Sequence, residues 1–226
     1  MNTIYRISAL ILLVSLFYSC SKEDTTGIRD GDGNIYTSVQ IGTQIWLTEN
    51  LKTTKFNDGV AIPLVTDNTA GFTLTTPGYC WYNNDELTYK NAYGALYNWY
   101  AVNSGNICPQ GWHVPTDSEW TTLITSLGGE SVAGGKLKES GTTHWQSPTT
   151  GTINTTNESG FTGLPGGYRG YQGVFAGIGK YGEWWSSSAD DTSNANTRLL
   201  NFANSDVIMN NVGKWYGFSV RCLKDN

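Results

Sequence analysis

The sequence predicts an α+β domain built from short strands, long loops and two helices. Three observations support this fold class. The chain has 226 residues, and its 27 Gly divide it into the short segments that are typical of turn-rich proteins. Aromatic residues make up 13% of the chain, which indicates a globular core and not a disordered protein. Apolar residues recur at helical spacing in two segments, while other segments alternate as strands do.

Residues 1–19 have the features of a signal peptide, and Cys20 is predicted to carry a lipid. A polar start with one cation, Arg6, precedes an apolar run at residues 7–17. About 11 apolar residues are too few for a helix that crosses a membrane, which needs roughly 20. The small residue Ser19 before the cysteine resembles the last position of a lipobox. A cleaved secretory peptide with an incidental cysteine and a retained helical anchor are the alternatives.

An acylated Cys20 would anchor the protein to a lipid bilayer, because two acyl chains suffice for stable attachment. We therefore expect an exported outer-membrane lipoprotein that could be exposed on the cell surface. The segment SKED at residues 21–24 resembles the short acidic signals that export lipoproteins to the cell surface, although a solvated tether is the alternative interpretation. Residues 20–34 are predicted to form the lipidated N-terminus and flexible tether. Residues 35–226 are predicted to form a single globular domain.

The charge of the mature chain argues against two classes of partner. Loss of Arg6 reduces the 14 Lys+Arg to 13 against 19 Asp+Glu, so the net charge falls from −5 to about −6. Nucleic-acid binding requires a basic face, so we expect no nucleic-acid partner. Peripheral contact with anionic lipid is disfavoured for the same reason.

The first elements of the domain are predicted to be strands. The Asp-Gly repeats at residues 30–34 favour a hairpin turn, and residues 35–41 and 44–47 alternate as strands. A calcium loop is the alternative for residues 30–34. That motif requires a Glu at the position where Ile41 stands.

Two helices follow a loop-rich region at residues 52–84. Aromatic residues spaced by three and four predict a helix over residues 85–104, which Gly105 ends. Thr116 and Glu119 form a capping-box pattern that predicts a second helix, ended by two glycines at 128–129. The chain after residue 130 is predicted to be loop and strand, with late strands at 181–188, 198–202 and 217–223.

Three cysteines remain in the domain, so an oxidising compartment would leave one unpaired. We predict a disulfide between Cys108 and Cys222, with Cys80 buried and unpaired. Such a bridge would tie the last strand to the core across a long loop. A bridge that includes Cys80 is the alternative.

No catalytic set, metal site or cofactor is predicted. The two histidines, His113 and His144, do not belong to a spaced ligand pair. The acids Glu158, Glu183 and Asp190 keep a carboxylate-based hydrolase as the alternative function, because paired carboxylates support glycoside hydrolysis.

The region around residues 164–171 combines arginine, aromatic residues and glycine. Such a cluster can stack on a sugar ring or a peptide, although a tight crossing between core and loop is the alternative. The predicted ligand contacts are Trp145, Tyr168, Arg169, Tyr171, Trp184 and Trp185.

Eight segments, in order along the chain, resemble the FISUMP family, the Fibrobacter succinogenes major paralogous domain of bacterial surface lipoproteins. They are IWLTENL at 45–51, YCWYNND at 79–85, YGALYNW at 93–99, CPQGWHVPT at 108–116, GGKLK at 134–138, LPGGYR at 164–169, WWSS at 184–187 and GFSVRC at 217–222. The family is in turn similar to the formylglycine-generating enzyme and the C-type-lectin-like fold group. This resemblance implies a loop-rich C-type-lectin-like fold with twisted, mixed or antiparallel short strands, adjacent terminal strands and two flanking helices.

The resemblance does not imply the oxidase activity of the formylglycine-generating enzyme. That chemistry needs a pair of reactive cysteines late in the chain, and only Cys222 is late. The calcium-sugar motif of lectins is also missing from the sequence. We therefore expect a non-catalytic binding or structural module whose ligand is a glycan, a protein or an envelope component.

Overall fold

A computed structural model describes residues 27–68, 74–148 and 155–226. The signal segment and the lipidation site at Cys20 lie outside these residues. Within the described ranges, no helix is long and apolar enough to cross a membrane.

The domain contains thirteen short strands and four α-helices among the described residues. The strands are β1 (Ile28–Arg29), β2 (Ile35–Tyr36), β3 (Ser38–Ile41), β4 (Gln44–Leu47), β5 (Tyr79–Cys80), β6 (Leu96–Tyr97), β7 (Trp112–His113), β8 (Gly166–Arg169), β9 (Phe175–Ile178), β10 (Tyr181–Ala189), β11 (Asn194–Asn201), β12 (Val207–Gly213) and β13 (Leu223–Lys224). The helices are α1 (Glu86–Tyr93), α2 (Trp99–Val102), α3 (Asp117–Ser126) and α4 (Glu130–Leu137), with 3₁₀ turns at Tyr82–Asn84 and Tyr171–Gly173.

Two sheets carry most of the architecture. The first has the strand order β3-β4-β13-β7, and the second has the order β10-β11-β12. The pairs β1-β2, β5-β6 and β8-β9 form small two-stranded sheets, and all of these strand pairs are antiparallel. Strand β13 pairs with β4, so strands from the two ends of the domain are adjacent, as expected. The predicted α+β class is confirmed.

Strand β10 separates two apolar clusters. Successive side chains of a strand point to opposite faces, so Trp184 and Trp185 enter different clusters. Trp185 packs edge-on against Phe218 with ring centroids 4.9 Å apart. On the other side, Trp46 and Trp120 pack with centroids 4.8 Å apart. The aromatic content noted in the sequence therefore fills the core from both faces of one strand.

Asn50 links four parts of the fold through its side-chain amide. Its Nδ2 donates to the carbonyl of Tyr93 at the end of α1 (2.9 Å). Its Oδ1 accepts from the Trp184 indole (2.8 Å) and from Nη2 of Arg221 (2.8 Å). Arg221 also donates to the carbonyl of Leu47 at the end of β4 (3.1 Å). The buried polar groups of this network are thus paired with one another, as burial requires.

The helix predicted over residues 85–104 is wrong in its length. The observed helix α1, Glu86–Tyr93, ends because Gly94 adopts φ 74° and ψ −165°. A Cβ at Gly94 would lie 2.5 Å from the carbonyl oxygen of Leu51, so the chain approaches another segment too closely for a side chain. The chain then forms β6 before the short helix α2, Trp99–Val102, begins.

The helix predicted after Thr116 is confirmed as α3, Asp117–Ser126. Thr116 Oγ1 accepts from the Glu119 amide (3.3 Å), and Glu119 Oε2 accepts from the Thr116 amide (2.7 Å). Two N–H groups at the start of the helix are satisfied in this way. The helix boundary was predictable because its cap is local in sequence.

The prediction of only loop and strand after residue 130 is wrong for helix α4, Glu130–Leu137. This helix contains Gly134 and Gly135, which lower its intrinsic propensity. It forms because Ala133 and Leu137, four residues apart, are buried in the core beside α3. Tertiary burial therefore outweighs local propensity in this segment.

The late strands match the prediction in part. Strand β10 covers the segment predicted at 181–188, and β11 matches the segment predicted at 198–202 except that it begins earlier, at Asn194, and ends at Asn201. Strand β12, Val207–Gly213, was not predicted. Within the segment predicted at 217–223, residues 217–219 form single bridges, such as Phe218 with Tyr97, and only Leu223 belongs to a strand, β13.

The hairpin turn predicted at residues 30–34 is confirmed, since β1 and β2 pair on either side of it. The Asp30 carboxylate is buried and accepts from the Tyr36 hydroxyl (2.5 Å) and from the amide of Asn34 (3.0 Å). Residues 27–34, which were expected in the tether, are thus folded onto the domain.

The predicted disulfide joins Cys108 to Cys222 across 114 positions of sequence, with a Cα–Cα distance of 6.0 Å. Cys80 is free and buried, as predicted. Burial raises the pKa of the Cys80 thiol to about 11, although the charge of Arg169 opposes this effect.

Candidate functional site

A cleft of about 320 Å³ opens over one face of the β10-β11-β12 sheet. In the register of this sheet, Glu183 pairs with Leu199, and Thr197 pairs with Asn210. Because alternate residues of a strand share a face, these side chains point to the same side. The residues that line the cleft, called here the aromatic cleft, are Tyr168, Tyr181, Glu183, Leu199, Asn210, Val212, Tyr216 and Phe218.

Four aromatic rings form a continuous wall of this cleft. Tyr168 lies between Tyr181 and Phe218, with ring centroids 6.4 Å and 5.8 Å away. Tyr216 stacks on Phe218 with centroids 5.8 Å apart and an interplanar angle of 4°. Trp185 supports Phe218 from the core side. The wall is therefore held in place by the packing of its own rings.

Glycine at position 177 allows the Tyr181 ring to reach this wall. Gly177 adopts φ 79°, a conformation that other residues rarely take. A Cβ at this position would lie 2.5 Å from Cδ2 of Tyr181 and 3.3 Å from Cε1 of Tyr168. The β8-β9 hairpin thus brings its backbone close to two of the cleft tyrosines.

The carboxyl group of Glu183 lies on the floor of the aromatic cleft and is 5% exposed. Its Oε1 accepts from the Thr197 hydroxyl (2.6 Å) and from Nδ2 of Asn210 (3.1 Å). Burial raises the pKa of this carboxyl, and the two hydrogen bonds oppose that rise only in part. The site therefore holds an acid whose uncharged form is favoured relative to a carboxyl in water.

The hydroxyl of Tyr168 remains a hydrogen-bond donor at neutral pH. Burial raises the pKa of Tyr168, and the nearby charge of Glu183 raises it further. The cleft thus presents phenol groups, one carboxyl and one amide against apolar rings. A ligand with both apolar faces and hydroxyl or amine groups would find partners for each.

The structure places three of the predicted ligand contacts in the core. Trp145, Trp184 and Trp185 are 3%, 1% and 0% exposed. Their indole N–H groups donate to Gly163 O, Asn50 Oδ1 and Tyr97 O. Tryptophan in this chain fills the interior because its large ring area gains most from burial. These three side chains therefore belong to the core, although Trp145 also lines a small pocket beside Lys138 and Gln146.

The other three predicted contacts separate from one another. Arg169 is buried and donates to the carbonyls of Val65 and Asp67, so it holds a neighbouring loop. Tyr171 is 55% exposed on a 3₁₀ turn and does not line the aromatic cleft. Of the six predicted residues, Tyr168 alone lines the cleft.

Sequence reasoning missed the cleft residues Tyr181, Asn210, Tyr216 and Phe218. A signal for Tyr181 was present, because it lies two positions before Glu183 in β10. Residues spaced by two share one face of a strand. The predicted contacts followed the tryptophan-rich composition, whereas the two-residue spacing of side chains along a strand is the better indicator of a shared face.

The three acids of the alternative hydrolase hypothesis, Glu158, Glu183 and Asp190, lie in different parts of the domain. Glu183 lies in the aromatic cleft, whereas Glu158 is on another surface with Lys136 (3.5 Å). Asp190 is exposed at the turn between β10 and β11. Among the described residues, no three His, Cys, Asp or Glu side chains group as metal ligands would.

These features define a small, disulfide-bonded α+β domain with a cleft of ligand size. The chain belongs to the Fibrobacter succinogenes major domain family, whose sequence model matches residues 39–224. Comparison with curated proteins and comparison with solved structures each gave no significant match. The family assignment expected from the eight sequence segments is confirmed, while the likeness to C-type lectins stays a prediction.

Proposed function

We propose that this domain is a non-catalytic binding module that takes a glycan in its aromatic cleft. The single observation that carries the proposal is the arrangement of Tyr168, Tyr181 and Tyr216 around the buried acid Glu183. The C–H faces of a sugar ring pack well on aromatic rings, and sugar hydroxyls need polar partners. Pockets for small molecules have this composition, with mostly apolar walls and few polar groups.

The size of the cleft sets the size of the ligand. Its volume of about 320 Å³ is at the lower end of the range for ligand pockets, roughly 300–1,000 Å³. A terminal or single sugar unit therefore fits the cleft better than an extended chain does. The remaining units of a longer glycan would lie outside, over the exposed edge strand β12.

Binding accounts for the site better than hydrolysis does. Glycoside hydrolysis uses two carboxyl groups on either side of the scissile bond. Among the described residues that line the aromatic cleft, Glu183 is the single carboxylic acid. We therefore favour a module that holds its ligand unchanged.

Binding can be measured with the full chain, purified in detergent, by a glycan array followed by calorimetry. Tyr181→Ala and Tyr216→Ala should each weaken binding about tenfold, which corresponds to about 1.4 kcal/mol and fits the loss of one aromatic contact. Tyr171→Ala is the matched control, because Tyr171 is exposed and lies outside the cleft. Absence of glycan binding would contradict the proposal, and an equal loss in the control would place the site elsewhere.

We further propose that Cys20 carries the lipid that anchors the module to a bilayer. The supporting observation is the apolar run at residues 7–17 that ends shortly before Ser19 and Cys20. Labelled palmitate should enter the natural protein, and Cys20→Ser should abolish labelling and release the protein from the membrane fraction. Protease treatment of intact cells should cut a surface-exposed protein and spare a periplasmic one.

A further inference from the structure

The described residues that line the aromatic cleft include an acidic side chain and no basic one. Of the described residues that line it, Glu183 is the single carboxylic acid, and none is Lys, Arg or His. The one basic residue in strands β10, β11 and β12 is Arg198, which lies on the opposite face and is paired with Asp117 (3.1 Å). A ligand with a negative charge would thus meet a carboxyl and no cation. The cleft suits a neutral or positively charged ligand.

The hydrogen bonds of Glu183 leave one oxygen for a ligand. Both protein donors, Thr197 Oγ1 and Asn210 Nδ2, bond to Oε1. Among the described residues, Oε2 receives no hydrogen bond. A carboxylate in a buried apolar site is costly without a positive partner, so a cation supplied by the ligand would relieve this cost.

The rings around this acid are themselves suited to a cation. Tyr168, Tyr181 and Tyr216 surround the cleft, and the faces of aromatic rings attract positive charge. An alkylammonium group beside Glu183 would therefore gain from the carboxylate and from the ring faces together. A sugar hydroxyl at the same place would gain only a hydrogen bond.

We infer that the aromatic cleft selects sugars that carry a free, protonated amine, with the ammonium group paired to Oε2 of Glu183. This inference rests on the proposed glycan-binding function and names the ligand class of the same site. The sugar ring would pack on the tyrosine wall while its amine points to the floor of the cleft. Glycans with deacetylated glucosamine units have this chemistry.

Three β-1,4-linked trimers that differ only at C2 provide the probe. They are the trimers of glucosamine, N-acetylglucosamine and glucose, titrated by calorimetry into the full chain at pH 7. The glucosamine trimer should bind at least tenfold more tightly than the other two. Equal binding of all three trimers would overturn the inference and leave the proposed function standing. Binding of none of them, and of no other glycan on an array, would contradict the proposed function itself.

Two matched variants test whether the preference for the amine depends on Glu183 itself or on the overall charge of the protein. Glu183→Gln keeps an oxygen for Thr197 and Asn210 but removes the charge, so the preference for the amine over the acetylated trimer should disappear. Glu158→Gln removes an exposed acid outside the cleft and should preserve that preference. An equal reduction in both variants, or a preference that survives in Glu183→Gln, would overturn the inference.

The natural protein gives a second test that does not depend on a variant folding. Protons compete with the ammonium group for Glu183, so affinity for the glucosamine trimer should fall as the pH is lowered through the pKa of this carboxyl. Affinity for the acetylated trimer should fall much less. Parallel pH profiles for the two trimers would count against a pairing between the amine and Glu183.

Discussion

Arg221 shows how single residues hold this fold together. It is 1% exposed and forms no ion pair among the described residues. Its guanidinium donates to Asn50 Oδ1 and to the carbonyls of Leu47 and Phe161, and it lies 4.2 Å from the Phe161 ring centroid. Burial lowers the pKa of Arg221 to about 9, so it stays charged at neutral pH. The charge is compensated by carbonyl oxygens and by a ring face.

Arg221→Met should therefore destabilise the protein by at least about 3 kcal/mol, because buried oxygens would lose charged donors. The free energy of unfolding in urea measures this loss. Arg29→Met is the matched control, since Arg29 is exposed and its side chain donates to the carbonyl of Gly33 alone among the described residues. The control should change stability by no more than about 0.5 kcal/mol. Similar costs for both variants would contradict the role given to Arg221.

His113 contacts two carboxylates, Glu119 and Asp225, near the last strand, and these pH-dependent contacts are called here the clasp. Its Nδ1 lies 2.6 Å from Asp225 Oδ1, and its Nε2 lies 2.9 Å from Glu119 Oε1. Partial burial lowers the pKa of His113, but the hydrogen bonds and charges of Asp225 and Glu119 outweigh this and raise it above 6.5. Burial raises the pKa of Glu119, while bonds from Thr116 and His113 bring it below 4.5. Both His113 and Glu119 are thus charged at pH values between the pKa of Glu119 and the pKa of His113.

The stabilising effect of the clasp should be present below about pH 6.5 and lost as the pH rises through the higher pKa of folded His113. On the acid side it should be lost as Glu119 is protonated. Since the pair is partly exposed, we expect about 1 kcal/mol or less. Between pH 6 and pH 9, the free energy of unfolding in urea should decrease less for His113→Gln than for the natural protein. Equal declines would show that the clasp contributes nothing.

At the level of elements, Gly94 determines where the first helix stops. Gly94→Ala would add a Cβ 2.5 Å from the Leu51 carbonyl oxygen as well as strain at φ 74°. Gly105 adopts φ 77° with open space around it, so Gly105→Ala isolates the strain alone. Gly94→Ala should cost about 1–3 kcal/mol more than the control, which is the usual penalty of overpacking. Thermal or urea unfolding of the two variants provides the comparison.

The elements that could be predicted from sequence are those fixed by local contacts. Helix α3 was predictable because Thr116 and Glu119 are three residues apart. The end of α1 was not, because Gly94 is constrained by Leu51, which is far away in sequence. Helix α4 was missed for the same reason, since its glycine-rich sequence is stabilised by packing. Local patterns therefore predicted capped helices and alternating strands but not where tertiary contacts interrupt them.

At the level of the whole molecule, the Cys108–Cys222 bridge closes a loop of 114 positions. Loop-closure entropy gives about 4–5 kcal/mol as a ceiling for its contribution, and measured values are often lower. The double variant Cys108→Ala/Cys222→Ala should lose about 2–5 kcal/mol of stability. Cys80→Ala should keep the bridge, as seen in non-reducing peptide mass spectrometry, because Cys80 takes no part in it. A peptide that links Cys80 would contradict this pairing.

The aromatic cleft could be predicted only in part, because it depends on the whole fold. Its residues come from β8, β10, β11, β12 and the segment before β13, whose register is set by long-range pairing. The arginine, aromatic and glycine residues around Tyr168 predict it as a contact, and Glu183 is among the acids of the alternative hydrolase function. The two-residue spacing of Tyr181 and Glu183 indicates a shared face, but it does not indicate that this face lines a cleft while Trp184 and Trp185 are buried.

The position of β13 also has a consequence for the order of synthesis. Leu223 pairs with Trp46 on one side and with His113 on the other, so β13 fills a slot between β4 and β7. Until residues 223–224 leave the ribosome, both neighbouring strands have unpaired edges, and such edges attract other chains. The sheet can close only after synthesis has reached its last strand. A chain in which β13 has not yet paired therefore presents two open strand edges, which favour association with other chains.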